Sequence, residues 1–392
     1  MNQGNKVDET RTANDAPPSN GAEYLSGRGK KRGMRTGYTT GACATAATRA
    51  AMFALLDGQA PLSVTITLPI GEKVVFAVHR CEHHTDGSVT ASVIKDAGDD
   101  PDVTHGAELC STVRWRPTPG IELDGGVGVG RVTKPGLGLE VGSAAINPVP
   151  RAMIENVVQA LLVERGEPRG VSVIISVPDG LERSRKTLNA RLGIIGGLSI
   201  LGTTGIVRPY STAAYKASIS KAIDVAIACG CQNHIVLTTG SRSEKFARRY
   251  ITLPDEAYVQ MGEFTGYALR DCAAKGVHCV TLVGMIGKLS KIGDGRMQTH
   301  VAGAEVDLQG LAEVAKACGA TENVVEQVRQ ANTARHFQEL MLAHNLPGVF
   351  DFICERARKA SQAYIRDKVA VDVLMCDFDG SLLGYAGEKN VR

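Results

Sequence analysis

Residues 189–210 read Asn-Ala-Arg-Leu-Gly-Ile-Ile-Gly-Gly-Leu-Ser-Ile-Leu-Gly-Thr-Thr-Gly-Ile-Val-Arg-Pro-Tyr. Five glycines and two threonines stand among aliphatic residues. Glycine lets a backbone approach a neighbour or a ligand closely, at a cost in entropy and packing. Such a run suits a buried chain that bends sharply beside something it holds. It also divides two rhythms of secondary structure, near the middle of a chain of 392 residues.

Before it the pattern is mixed. Ala42 to Leu56 is alanine-rich and predicts a helix, capped by Thr39 or Thr40. Period-two alternation follows, with Val64, Ile66 and Leu68 on one face, then Val74, Phe76 and Val78, then Val89, Ala91 and Val93. Successive short strands predict an antiparallel meander. Pro150 to Arg165 predicts a helix, with Pro150 in its first turn, and Val171 to Val177 a buried strand.

After it, strands alternate with helices. Ile235–Thr239, Val277–Val283 and Val369–Phe378 read as strands. Helices are predicted from Glu244, from Gly262 to Lys275 and after Lys288, and they dominate to about residue 366. That order implies a parallel sheet with helices on its faces. The expected fold is therefore an α+β N-terminal domain with a mostly antiparallel sheet, residues 34–190, then an α/β C-terminal domain with a mainly parallel sheet flanked by helices, residues 191–392. Residues 1–33 are polar, with Pro17-Pro18 and the basic run Arg28 to Arg32, and read as a disordered tail.

Composition narrows the function. Hydrophobic residues at 43% and charged residues at 22% are ordinary for a soluble globular protein. A net charge of +3 is too small to indicate nucleic acid or a membrane surface. Aromatics at 5% argue against stacking on single-stranded bases. The ten cysteines lack zinc-finger spacing and read as reduced thiols of a cytoplasmic protein. No stretch has the length and apolarity of a membrane span, and the N-terminus lacks an apolar signal core.

Two loops stand where a strand hands over to a helix. In Thr238 to Glu244 and Gly284 to Lys288, free N–H groups attract anionic or polar ligand atoms. Thr239, Gly240, Ser241, Gly284 and Gly287 are candidate cofactor contacts, with Glu244 and Glu263 as acceptors for ribose hydroxyls. Gly125 to Gly130 and Gly136 to Gly138 lack the following helix that a dinucleotide fingerprint requires and read as strand connections or a substrate-facing loop. Lys95 to Gly106 gathers four aspartates and His105, as a tight turn or as a catalytic base would. No P-loop, Gly-x-Ser-x-Gly elbow or His-Glu-x-x-His helix occurs.

Several of these segments together resemble the CbiD family, the cobalt-precorrin-5B C1-methyltransferases of anaerobic cobalamin biosynthesis. They are Arg35 to Ala47, Ala97 to Gly106, Gly128 to Leu137, Ala145 to Ile154 and Asn189 to Ser211, with looser matches at Gly284 to Lys288 and Thr299 to Gly303. The chain carries Val127 where the resemblance calls for an acidic residue. The resemblance implies S-adenosylmethionine as methyl donor and a cobalt-precorrin tetrapyrrole as acceptor, with cobalt arriving inside the substrate and no protein metal site. Methyl transfer from a sulfonium is an in-line displacement, served by positioning in a dry site. Carboxylates of the acceptor need cationic or N–H partners, for which Arg35, Arg131, Lys134, Arg151 and Arg191 are candidates, and Thr39, Thr40, Thr203 and Thr204 are further candidate substrate contacts. Asp99, Asp100, Asp102 and His105 are candidates for a base that takes a proton from the ring system. A nicotinamide-dependent oxidoreductase and a non-catalytic tetrapyrrole carrier remain the alternatives. A homo-oligomer is compatible with everything above.

Overall fold

The computed structural model describes residues 33–300 and 306–388. The tail expected at 1–33 therefore lies outside the described residues as far as Arg32. In the first half a short strand, β1 (Gly37–Tyr38), leads into α1 (Thr40–Asp57). The strands β2 (Ser63–Thr67), β3 (Lys73–Ala77), β4 (Arg80–His83), β5 (Val89–Ile94), β6 (Glu108–Arg116), β7 (Ile121–Gly125) and β8 (Arg131–Val132) follow. Then come α2 (Pro148–Arg165), β9 (Gly170–Ser176), a one-turn α3 (Gly180–Ser184), β10 (Ile194–Ile195) and β11 (Ile206–Val207).

The alanine run forms α1 because alanine has the best helix propensity and Thr39 caps it, accepting a bond from the Ala42 N–H at 3.2 Å. Every alanine from Ala42 to Ala54 is fully buried. Small side chains let neighbours come close: a β-carbon on Gly41 would lie 2.6 Å from Cγ of Pro150, at the start of α2. Thr48 bonds Ser111 of β6 at 2.9 Å and ties the helix to the sheet. That sheet has the order β4-β5-β6-β9-β7. Its β4–β5–β6 meander and the β6–β9 pair are antiparallel, as the alternation implied, while β7 runs parallel to β9. The β2–β3 hairpin turns Val64, Ile66, Val74 and Phe76 onto the same core.

The glycine-rich segment belongs by its pairing to this half. β10 pairs with β8, β11 with β1, and single bridges join Leu198 to Val129 and Ile200 to Ile146. The hydrogen bonds of residues 194–207 thus run to the N-terminal side, although the sequence placed 191 onward with the second half.

The second half comprises α4 (Thr212–Ala228), β12 (His234–Thr238), α5 (Ser241–Tyr250), β13 (Tyr258–Gln260), α6 (Thr265–Ala274), β14 (Cys279–Gly284) and α7 (Ile286–Gly293). It ends with α8 (Leu308–Ala317), α9 (Glu322–Arg329), α10 (Ala334–Ala343), α11 (Gly348–Tyr364), β15 (Ala370–Cys376) and β16 (Leu382–Ala386). The helix expected from Gly262 begins at Thr265, because Gly262 takes φ +61° and turns the chain first. The sheet order is β13-β12-β14-β15-β16, parallel except for the antiparallel β16 at its edge. Its inner strands are buried on both faces. Ile235, Leu237, Val280 and Leu282 face one core, while Val236, Val283 and Leu374 face Phe246 and Ala247 of α5.

From β12 the chain moves out to β13, then returns across β12 to β14 and β15. The direction of winding therefore reverses between β12 and β14. Ligands of open α/β sheets bind in the crevice at the carboxyl ends of strands at such a reversal.

Candidate functional site

The two loops singled out in the sequence, after β12 and after β14, are the two lips of this crevice. Thr239 donates its N–H to Val283 O at 3.1 Å, and its hydroxyl bonds Ser243 at 2.9 Å. A β-carbon on Gly240 would meet nothing within 4 Å, so the space above that residue is open. Gly284 is tight, 3.1 Å from Thr239 Cγ2 and 3.2 Å from Leu289 Cγ by the same measure, so glycine there serves the approach of the two lips. Gly287 makes only an ordinary contact with Ala334. Lys288 reaches back across the crevice and donates to Thr239 O at 2.8 Å.

Glu263 follows β13 and is 5% exposed. Burial pushes its carboxyl above the usual range, against the pull of His300, a bond from Gln298, and the ammonium groups of Lys288 and Lys216. His300 Nε2 lies 3.8 Å from it. Lys288 is displaced the other way, its pKa lowered by burial despite Glu263 nearby. Tyr215 of α4 is raised by burial first and by Glu263 second. Thus groups from α4, the end of β13, α7 and the segment after it converge at one end of the sheet. Lys288 and His300 were not among the sequence candidates. The available signal for Lys288 was a lysine directly after a glycine-bearing turn that closes an apolar strand.

Glu244 behaves differently. One oxygen takes Arg248 at 3.0 Å, and the other takes Arg191 at 2.8 Å and Gln260 at 2.9 Å. Its carboxylate is filled by protein donors. Arg191 comes from the first half and also donates to Tyr258 O at 2.9 Å. Lys134, likewise from the first half, pairs with Glu256 at 2.8 Å and holds that carboxyl below its usual range. Between these bridges runs a seam of about 590 Å³, part of it open to solvent, lined by Leu188, Arg191 and Leu192 on one side and by Tyr215, Ser218 and Val259 on the other.

The remaining substrate candidates are dispersed over the first half. Thr39 caps α1 and donates its N–H to Gly205 O at 3.0 Å, and Thr40 Oγ1 accepts from Leu201 N–H at 2.9 Å, so both anchor the glycine-rich segment. Arg131 is bidentate to Asp124, at 2.7 Å for each bond. Arg151 lies 3.5 Å from both Glu155 and Leu123 O. Thr203 and Thr204 are exposed.

The aspartates of the acidic loop are engaged by protein donors, two of them from outside the loop. Asp99 takes the Arg35 N–H at 2.7 Å, and Asp100 takes the Tyr210 N–H at 2.9 Å. Asp102 pairs with Lys95 at 2.7 Å and accepts the N–H and hydroxyl of Thr104. Lys95 itself is 1% exposed. His105 Nδ1 accepts the Ala97 N–H at 3.1 Å and leaves half of its side chain exposed.

Gly128 packs against backbone, while Gly125, Gly126 and Gly130 pack first against side chains of Val129, Ser176 and Ile194. A β-carbon on Gly128 would strike Val177 O, and one on Gly180 or on Gly197 would strike Gly128 O. Three strands of backbone cross there, which excludes a nucleotide phosphate from that turn. Val127 is 73% exposed beside the crossing. Among the described residues no group of three or more His, Cys, Asp or Glu could hold a metal ion, and no helix is long and apolar enough to cross a membrane.

Against known proteins, residues 27–209 match the CbiD family model and residues 298–387 match the model of the CbiD C-terminal domain. A cobalt-precorrin-5B C(1)-methyltransferase of Geobacillus sp. (strain WCH70) is 51% identical over 91% of this chain and 97% of its own. One from Priestia megaterium is 50% identical over 90% and 96%. This chain belongs to the CbiD family. A crystal structure of a cobalamin biosynthesis protein (cbiD) from Archaeoglobus fulgidus is 30% identical, covering 66% of this chain and 79% of that one, with a TM-score of 0.37. The CbiD match accounts for the first half, with its glycine crossing, and for the closing segment of the second.

Proposed function

We propose that this chain methylates C1 of cobalt-precorrin-5B in cobalamin biosynthesis, with S-adenosylmethionine as donor. The observation that carries this reading is identity of about one half to methyltransferases of that name, over nine-tenths of the chain and nearly the whole of theirs. The donor sits in the crevice between Thr239–Ser241 and Gly284–Gly287, where the sheet reverses direction and the space over Gly240 is open. The acceptor lies along the seam, against Arg191, Lys134 and the exposed Thr203 and Thr204. Its carboxylates exchange with the protein carboxylates that now hold those cations.

In this arrangement the macrocycle carbon forms its bond to the methyl group as the sulfonium bond breaks, and the electron pair stays on sulfur. The protein contributes alignment and exclusion of water, which together supply a large part of such a barrier. His105 is the base candidate with an exposed ring. The aspartates beside it are engaged by other protein donors, Arg35, Tyr210, Lys95 and Thr104. Incubation with cobalt-precorrin-5B and methyl-labelled S-adenosylmethionine is expected to place label at C1. A nicotinamide-dependent change without label transfer, or ring binding without turnover, would overturn the reading in favour of an oxidoreductase or a carrier.

A further inference from the structure

Each carboxylate at the seam has its own cation, with one exception. Glu244 has Arg191 and Arg248, Glu256 has Lys134, and Asp255 has Arg248. Glu263 has only His300 at 3.8 Å and an amide bond from Gln298. Among the described residues no lysine or arginine stands within ion-pair distance of it. Lys288, across the crevice, has the Thr239 carbonyl as partner and no carboxylate within ion-pair distance among the described residues. A buried carboxylate and a half-buried ammonium thus face one site without an ion pair between them. Two buried hydroxyls next to Glu263, on Thr265 and Thr299, have no hydrogen-bond partner. Thr299 N–H bonds the Glu263 carbonyl at 3.1 Å, which places its residue at the same spot.

Burying opposite charges apart is unfavourable unless something completes them. A ligand that carries a carboxylate and an ammonium on neighbouring atoms does so in one step. We propose that the crevice holds a zwitterionic α-amino-acid head group, its carboxylate on Lys288 and its ammonium between Glu263, the Thr239 carbonyl and the Thr265 and Thr299 hydroxyls. This rests on the donor reading above, since the donor ends in such a group, and it fixes which end of the donor lies deepest. The adenosyl part then points over Gly240, where the space is open. The displacement of both titrations toward their neutral forms agrees with an incomplete charge set.

The test is calorimetric binding of S-adenosylhomocysteine and of 5′-methylthioadenosine, which lacks the amino-acid head, to the wild type, Lys288→Met and Glu263→Gln. The expected result is a loss of tenfold or more in S-adenosylhomocysteine affinity in each variant, with 5′-methylthioadenosine binding all three alike. Equal S-adenosylhomocysteine affinity in variants and wild type overturns the proposal, as does a parallel loss for both ligands. A third ligand needs no substitution: decarboxylated S-adenosylhomocysteine is expected to bind the wild type at least tenfold more weakly than the parent, and equal binding overturns the role of Lys288. Failure of the wild type to bind S-adenosylhomocysteine at all would instead remove the donor reading itself.

Discussion

Arg191 spans the two halves of the chain, its guanidinium 2.8 Å from the Glu244 carboxylate and 2.9 Å from the Tyr258 carbonyl. It stands in the glycine-rich segment that pairs with the first half, so the residue that closes the seam is carried by the wall opposite the sheet. Arg191→Met removes two bonds and leaves Glu244 with Arg248 and Gln260. Loss of a charge-assisted bond of this kind costs about 1.5–3 kcal/mol. Urea unfolding is expected to show that loss. Steady-state kinetics are expected to show a larger fall in kcat than in donor affinity, because alignment across the seam is what the variant disturbs.

Gly197 and Gly196 form a matched pair. A β-carbon on Gly197 would run into Gly128 O, whereas one on Gly196 meets nothing and faces only a φ of +88°. Gly197→Ala is expected to lose about 3 kcal/mol or more, since backbone on both sides must shift. Gly196→Ala is expected to lose about 1–2 kcal/mol from its left-handed conformation alone. Urea midpoints of the two variants check the order, and equal losses would remove the crossing as the reason for the glycines.

Donor binding depends on the open space over Gly240. Gly240→Val fills that space, in a loop that already takes φ +159°. Affinity for S-adenosylhomocysteine is expected to fall by tenfold or more, beyond the loss of Tm that the strained backbone at this φ brings. Wild-type affinity in this variant would move the donor away from the crevice.

Acid sensitivity is expected to centre on Lys95 and Asp102. Burial pushes the Asp102 carboxyl up, but the Lys95 ammonium and the Thr104 hydroxyl and N–H pull harder and leave it below its ordinary 3.8. A depressed carboxyl stabilises the fold above its unfolded pKa and loses that contribution as pH falls through the folded value. Tm is therefore expected to drop steeply below about pH 4. Asp102→Asn is expected to be less stable at pH 7, with Lys95 buried and unpaired, and to lack that part of the acid limb.

His105→Ala tests the base. If the exposed ring accepts the proton lost from the macrocycle, turnover falls by about 10²–10⁴-fold, while S-adenosylhomocysteine affinity stays put. Unchanged turnover would leave His105 with the bond to Ala97 as its whole role.

The elements legible in the sequence are those defined by local period. The alternation from Val64 to Val93 and the alanine run of α1 needed no partner to be read, and the strand-to-helix turns after Thr238 and Gly284 carried the crevice with them. What the sequence left out depends on distant pairing. Thr40 meets Leu201 across 161 positions, so the glycine-rich segment joined the first half without any local sign of it. β16 and the parallel β7 were equally unmarked. In the site, aspartates counted as one cluster turn out to have separate structural partners, Asp99 and Asp100 on the distant Arg35 and Tyr210 N–H groups and Asp102 on Lys95 and Thr104. Glu263 and Lys288, which come together only once β13 and α7 are docked, had no shared signal along the chain.

The alanine helix has a consequence for how this protein tolerates change. From Thr40 to Thr48 the helix presents only small side chains, none long enough to swing and refill a gap or yield to an intruder. Substitutions in α1 and in the residues that touch it will be purged, and drift in the first half will collect on the outward positions of the β2–β3 hairpin and of β4.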